Sequence, residues 1–313
     1  MIEVLSPGAL TTAQDLGRFG FGRLGVAPGG AADGLALRVA NLVAGNVAGA
    51  AGLEITLLGP RLRFTAATRI TLAGTDLAAR LDGRPLALHA AIDVPAGGEL
   101  AFAGGPLGTR AYLAVAGGIE VSPVLGSSST DLRGGFGGVE GRALRAGDLL
   151  RCGTSAAGPR ELRQDGCTVL TARRALLRVT RGLHAERFRG DALRKLTAEP
   201  YTVRSESDRM GVRLDGPALE LERPGELLSE GVSAGAVQVP PAGTPIVLGV
   251  DHPATGGYPQ IAHVIAADLP SLAQLRPRQS VRFEWIELDA ARAELIALEA
   301  ALGAALGEEG GGE

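Results

Sequence analysis

The sequence predicts a β-rich α+β fold with a C-terminal helix, and three observations predict it. Forty-seven glycines and 18 prolines among 313 residues break the chain into short apolar runs. Most of those runs alternate apolar and polar residues, the period of a half-buried strand. Only two stretches carry the longer period of an amphipathic helix.

The first of these is residues 32–46, "ADGLALRVANLVAGN". Leu35, Val39, Leu42 and Val43 fall on one face, Asp33 is placed to cap, and Gly45 and Asn46 supply the stop. Strand patterns follow at 61–64 and 69–73. Residues 77–89 place Asp82-Gly83 between two alternating runs, a type I′ hairpin signal. Further strands are expected at 111–118, 176–182, 212–221, 245–250 and 280–288. The second helix is residues 288–306, with Leu295, Leu298, Leu302 and Leu306 on one stripe, before a polar glycine-rich tail expected to be disordered.

Residues 94–104 echo 239–249, and 144–153 echo 275–285. Two readings fit: turn-plus-strand units look alike in any barrel, or the chain holds two barrel-like parts of related design. On the second reading the parts are 1–155 and 165–287, followed by a helix and tail at 288–313, with the division in the linker-like stretch 152–167.

Composition excludes several classes of function. A net charge of −3 leaves no basic footprint for nucleic acid or an anionic membrane. No apolar run nears the roughly 18 residues of a membrane span, and the N-terminus shows no export signal. A cytoplasmic location is the expectation. Cys152 and Cys167 are too few and too far apart for a zinc knuckle, although one disulfide between them is possible in principle. The single lysine, Lys195, lies in no glycine-rich stretch, so there is no P-loop.

Three motifs resemble chemistry without its context. "GFGRLG" at 20–25 matches the dinucleotide fingerprint, but "APGGAAD" intervenes before the helix begins and no βαβ alternation follows. "GVSAG" at 231–235 matches a nucleophile elbow around Ser233, yet a strand broken by prolines follows where the elbow needs a helix. His89, His184, His252 and His263 lack metal-ligand spacing, and a packed structural role is the simpler expectation for each.

Other clusters carry more information. Residues 122–148 gather Ser129, Thr130 and neighbouring hydroxyls before "GGFGG"; such a loop offers donors to an anion, or is a solvent-facing loop. A barrel can bring Arg209, Gln238, Asp251 and Tyr258 to one mouth. "ATGGYPQ" at 254–260 sets two glycines, a tyrosine and a proline between strand-like runs.

Taken together, "TTAQDLGR", "GAADGLALRVANLVAGN", "PVLGSSSTDLRGG", "DRMGVRL", "GAVQVPPAGTPIVL" and "TGGYPQIAHVIAADL" resemble the carboxyltransferase A/B subdomain family. That family includes the C subunit of 5-oxoprolinase, the KipI antagonist KipA and urea-amidolyase-type proteins. The resemblance runs over about residues 3–285. It implies a cyclophilin-like β-barrel architecture and, as partner, the KipI-like B subunit of 5-oxoprolinase. With that partner and a third subunit of the LamB/YcsF type, it implies an ATP-dependent opening of 5-oxoproline to L-glutamate, with Mg2+ accompanying the ATP. Two departures stand out. Gly29-Gly30-Ala31-Ala32-Asp33 replaces the usual Ser-Gly-Ala-Met-Asp, and Ala254 replaces the first threonine of Thr-Thr-Gly-Gly-Tyr-Pro.

On this reading Asp251 orients a substrate amide or water, and Thr255 with the Gly256 and Gly257 N–H groups holds an oxyanion or phosphate. Tyr258 walls the pocket, and Arg209, Gln238, Ser129 and Thr130 contact substrate or phosphate. The plainer alternative is a tight barrel turn with Tyr258 as a packed corner. Two other functions stay open: a biotin-dependent carboxyltransferase component, and a KipA-like regulator that binds a KipI-type kinase inhibitor. Glycine-rich loops with few charges imply apolar edges that a partner chain would cover.

Overall fold

The computed structural model describes residues 1–105, 107–155, 157–163, 175–222 and 227–307. It divides into two compact units. One comprises Met1–Arg18, Gly29–Ala172 and Glu299–Glu313, the other Phe19–Pro28 and Arg173–Leu298. Cys167 and most of the polar tail lie outside the described residues, and with Cys167 the possible disulfide.

In chain order the first unit contains β1 (Ile2–Ser6), β2 (Leu10–Gln14), α1 (Gly34–Ala44), β3 (Gly52–Thr56), β4 (Arg61–Phe64) and β5 (Thr68–Gly74). It continues with β6 (Ala79–Leu81), β7 (Arg84–Pro85), β8 (Ile92–Val94), β9 (Glu99–Phe102), β10 (Arg110–Val115), β11 (Ile119–Glu120) and β12 (Leu149–Cys152). Two sheets result, in the orders β11-β12-β1-β4-β9-β6-β7 and β2-β3-β10-β5-β8. Alternate residues of both enter one apolar core: Ile2, Val4, Leu62 and Phe64 from the first, Leu53, Ile55, Leu72 and Leu113 from the second.

Local sequence accounts for the punctuation. The Asp33 carboxylate accepts from the Ala36 N–H at 2.9 Å, and Gly45 ends α1 at φ 86°. Asp82 and Gly83 both take positive φ, 49° and 80°, between β6 and β7, as a type I′ turn requires. The buried start of α1 is held by Glu54, whose Oε2 accepts from Ala32 N–H at 2.8 Å and from the Tyr112 hydroxyl at 2.7 Å. Burial, with Glu54 and Asp33 nearby, pushes the Tyr112 hydroxyl well above its ordinary value, so it stays a donor.

The second unit contains β13 (Leu176–Arg181), α2 (Gly190–Ala198), β14 (Tyr201–Val203), β15 (Gly211–Asp215), β16 (Glu230–Gly231) and β17 (Ala236–Gln238). After these come β18 (Ile246–Leu248), β19 (Thr255–Gly256), β20 (Gln260–Val264), α3 (Leu269–Ala273), β21 (Ser280–Trp285) and the start of α4 (Leu288–Ala305), whose residues from Glu299 on are counted with the first unit. Seven strands close a barrel in the order β13-β20-β17-β18-β15-β14-β21, and the first and last in sequence, β13 and β21, join in parallel. Leu177, Val179, Val237, Val247, Val264, Val281 and Phe283 fill it. Arg178 turns outward and clamps Asp268 at 2.6 Å and Glu294 at 2.7 Å. Among the described residues no helix is long and apolar enough to cross a membrane.

Candidate functional site

The site is built on the outer face of two neighbouring barrel strands. In β17 and β20, Val237 pairs with Ala262 and both enter the core. By alternation their neighbours face outward: Ala236 opposite His263, and Gln238 opposite Gln260 across a bulge. Over these side chains lies the two-stranded ribbon of β16 and β19, in which Glu230 pairs with Gly256 and Gly231 with Thr255.

The ribbon and the strands are stitched together by polar contacts. Gln260 Nε2 donates to Glu230 Oε1 at 2.9 Å, and His184 Nε2 lies 3.6 Å from the same oxygen. The Gln260 backbone N–H donates to His184 Nδ1 at 3.3 Å. Gln238, only 4% exposed, donates to the Tyr258 carbonyl at 3.5 Å. At the far end of the strand pair, Ser233 Oγ is 2.9 Å from His263 Nε2, and His263 Nδ1 is 3.0 Å from the Val264 carbonyl. Burial pushes the His263 imidazole below its ordinary value.

The glycines of the ribbon have distinct tasks. A Cβ at Gly256 would fall 2.6 Å from Gln238 Nε2, so this residue is small to let the ribbon lie on the buried amide. Gly257 is roomier, the nearest atom to its Cβ position being the Leu227 carbonyl at 3.3 Å. Gly257 and Tyr258 help line a cavity of about 870 Å³, with apolar walls from Leu219, Leu221, Val239 and Pro240 and polar groups from Arg189 and Glu220. Its size and character fit a small-molecule site. Tyr258 is 46% exposed, a wall at that cavity and not a packed corner.

Arg209, Gln238, Asp251 and Tyr258 do not form a single constellation; they fall into two pairs. Gln238 and Tyr258 sit where β17 faces Ile246, the first residue of β18. Asp251 lies three residues beyond Leu248, the last of β18, and its carboxylate is gripped by the Arg209 guanidinium at 2.7 and 2.9 Å. Both oxygens of Asp251 are therefore engaged, and it presents an oriented but occupied acceptor. Thr255 is exposed on the ribbon.

Ser129 and Thr130 belong to the first unit, and their hydroxyls are turned to its own atoms. Asp15 accepts from the Ser127 and Ser129 hydroxyls, from the Ser128 N–H at 2.6 Å and from the Gly17 N–H at 2.8 Å. Thr130 Oγ1 donates to the Ala13 carbonyl at 2.9 Å. Arg18, 2% exposed, donates to the Ser129 carbonyl and stacks on Phe136 with 4.9 Å from guanidinium carbon to ring centroid.

Nothing in the sequence marks His184, Glu230 and Gln260 as one cluster, or His263 as the partner of Ser233. The only linear trace of these contacts was the period-two pattern that makes Gln238, Gln260 and His263 outward-facing. Nothing local announced which ribbon residues would cover them. The reading of 231–235 as no nucleophile elbow agrees with the structure, since β17 and not a helix follows Ser233.

Comparison with known proteins adds relatives to this geometry. Residues 24–285 match the family model described as carboxyltransferase domain, subdomain A and B. The chain is 41% identical over 291 residues to the C subunit of 5-oxoprolinase from Escherichia coli, covering 93% of each. It is 39% identical to the protein of the same name from Haemophilus influenzae, again covering 93% of each. The crystal structure of Kluyveromyces lactis urea amidolyase superposes with a TM-score of 0.88 at 31% identity, over 96% of this chain. The chain spans only 20% of that larger one.

Proposed function

Because the chain belongs to the carboxyltransferase subdomain A and B family, we propose that it is the C subunit of a 5-oxoprolinase. In that role it acts with a KipI-like B subunit and a LamB/YcsF-type subunit to open 5-oxo-L-proline to L-glutamate with hydrolysis of ATP. The observation that carries this reading is full-length similarity: the two 5-oxoprolinase relatives are matched over 93% of both partners in each comparison.

The chemistry asks for two things from the polypeptide. The lactam carbonyl is resonance-stabilised and develops negative charge when activated or attacked, so fixed donors must face that oxygen. The substrate also has an apolar ring edge and a carboxylate. In our reading the cavity beside Gly257 and Tyr258 receives the ring against Leu219 and Val239. The Tyr258 hydroxyl and the Gly257 N–H face the carbonyl, and Arg189, which pairs with Glu220 at 2.7 Å, would have to exchange that partner to meet the carboxylate. Thr255 and Gly256 extend the same donor surface.

In our reading ATP and Mg2+ are not held by this chain alone. Arg209 is engaged by Asp251, and among the described residues no group of three or more His, Cys, Asp or Glu side chains is placed to hold a metal. We place the nucleotide at a site shared with a partner subunit, and no step through it is derived from this chain. Arg209 and Asp251 then act as a brace between the chain before β15 and the chain after β18.

The test is reconstitution. Co-expression with the two partner subunits should give a complex that co-elutes and releases glutamate and ADP only when 5-oxoproline is present. This chain by itself should release neither. Robust turnover by the isolated chain would remove the shared site. Biotin-dependent carboxylation of urea by the complex would replace the reading with the second one, which the similarity to urea amidolyase favours at the level of fold. A complex that binds its partner and turns over neither substrate would leave the KipA-like regulatory role.

A further inference from the structure

We propose that Ser233 and His263 form a nucleophilic pair that accepts small acyl groups, an activity separate from the opening of 5-oxoproline. The imidazole sets the chemistry of the pair. His263 Nδ1 faces the Val264 carbonyl oxygen at 3.0 Å, and a carbonyl only accepts, so Nδ1 carries the proton. In the neutral ring Nε2 is then a lone pair, and it is aimed at Ser233 Oγ from 2.9 Å. The serine hydroxyl donates to it. This is the arrangement of an activated nucleophile: a hydroxyl on a base, and the base oriented by a third group.

The fold holds the pair in place. His263 is anchored on β20, opposite Ala236 in the ladder. Ser233 sits on the turn that enters β17, closed by the Ala236 N–H bonding to the Ser233 carbonyl at 3.2 Å. Gly235 makes that turn possible at φ +90°, where a Cβ would meet the His263 ring carbon Cε1 at 3.1 Å and the Val264 carbonyl at 2.9 Å. Burial of the imidazole favours its neutral form, and the serine is exposed. The exposed hydroxyl is open to an acyl donor from solvent, and a small activated ester is the simplest probe of it.

The reaction balances with water alone. Ser233 Oγ attacks the ester carbonyl carbon, its proton passes to His263 Nε2, and the carbon–oxygen bond to the leaving alcohol breaks as that alcohol takes the proton. Water then attacks the acyl-serine, gives its proton through His263 to Ser233 Oγ, and releases the carboxylic acid.

The experiment uses the full chain, alone and in its complex, with p-nitrophenyl acetate as substrate and an alkyl fluorophosphonate as covalent probe. We expect one phosphonyl adduct, mapped to Ser233 by peptide mass spectrometry, and steady release of p-nitrophenol. Ser233→Ala should abolish both, and His263→Gln should slow both by about 100-fold or more, the usual effect of losing a general base. An adduct on another residue, or labelling that His263→Gln leaves unchanged, overturns the proposal. Ser233 is exposed, so its alanine variant will fold; unchanged ester turnover in that variant overturns the proposal without reference to His263.

Discussion

Arg209 and Asp251 meet as a fork: Nε donates to Oδ2 at 2.7 Å and Nη2 to Oδ1 at 2.9 Å, with Arg209 only 6% exposed. The pair fastens the chain before β15 to the chain after β18. Asp251→Asn takes the charge from the carboxylate that accepts both of these charge-assisted bonds, and the expected loss is about 1–3 kcal/mol. Arg209→Lys keeps the charge but cannot make two parallel bonds, and about 1–2 kcal/mol should suffice. Thermal unfolding of the two variants checks the order. If Asp251→Asn melts like wild type while turnover of the complex collapses, Asp251 acts on substrate and the brace is the wrong description.

The two ribbon glycines should separate stability from turnover. Gly256→Ala pushes on the buried Gln238 amide from 2.6 Å, and the expected cost is about 1–3 kcal/mol of overpacking. Gly257→Ala meets its nearest neighbour at 3.3 Å and should melt close to wild type. The variant keeps its N–H, so if substrate approaches that group closely, turnover should fall through the added Cβ crowding the ligand while the melting temperature holds. Tyr258→Phe removes only a hydroxyl from a half-exposed ring. Unchanged kcat and KM in the reconstituted complex would reduce Tyr258 to a wall.

Ser129 is the place to separate a ligand donor from a fold element. Its hydroxyl donates to Asp15 Oδ1 and accepts from the Asp15 N–H at 2.9 Å. Ser129→Ala should therefore cost about 1–3 kcal/mol in stability, and Asp15→Asn should cost at least as much, because four donors converge on that carboxylate. KM for 5-oxoproline should not move in either variant. A raised KM at wild-type stability would return Ser129 to the substrate.

His263 makes a prediction in acid. Its folded-state value lies below the ordinary imidazole value of 6.5 because of burial, so between the two values the unfolded chain binds more protons than the folded one. Stability then rises with pH across that window and is flat above it as far as this residue is concerned. His263→Gln should flatten the slope below pH 6.5, read from denaturant midpoints measured at several pH values. A slope identical to wild type would mean the ring is solvated in solution.

How much of this was legible in the sequence depended on the range of the interaction. The cap at Asp33, the stop at Gly45 and the Asp82-Gly83 hairpin are fixed by neighbours a few residues apart, and each stands where the residues predict. Helix α2 was missed because only Ala192 and Leu196 are buried, too few to print an apolar stripe. The C-terminal helix was visible because its leucine stripe is long. At the site, Gly257 and Tyr258 were legible as a special loop. The contacts that define its surroundings were not, since Ser233 reaches His263 and His184 reaches Gln260 only once the strands have found their register. A change of one residue in that register would turn Gln238 and His263 inward.

The parallel seam of the barrel also sets a schedule for synthesis. β13 pairs with β20 and β21 and with no earlier strand of the barrel. At about 5–20 residues per second, the ribosome leaves "LLRVTR" without its partners for on the order of ten seconds. During that interval the nascent strand is a free edge, guarded by Arg178, Thr180 and Arg181 at alternate and terminal positions. A chain cut short before β21 would keep that edge open permanently. Early termination should therefore yield aggregates in the cell, where a cut after β21 leaves a closed barrel.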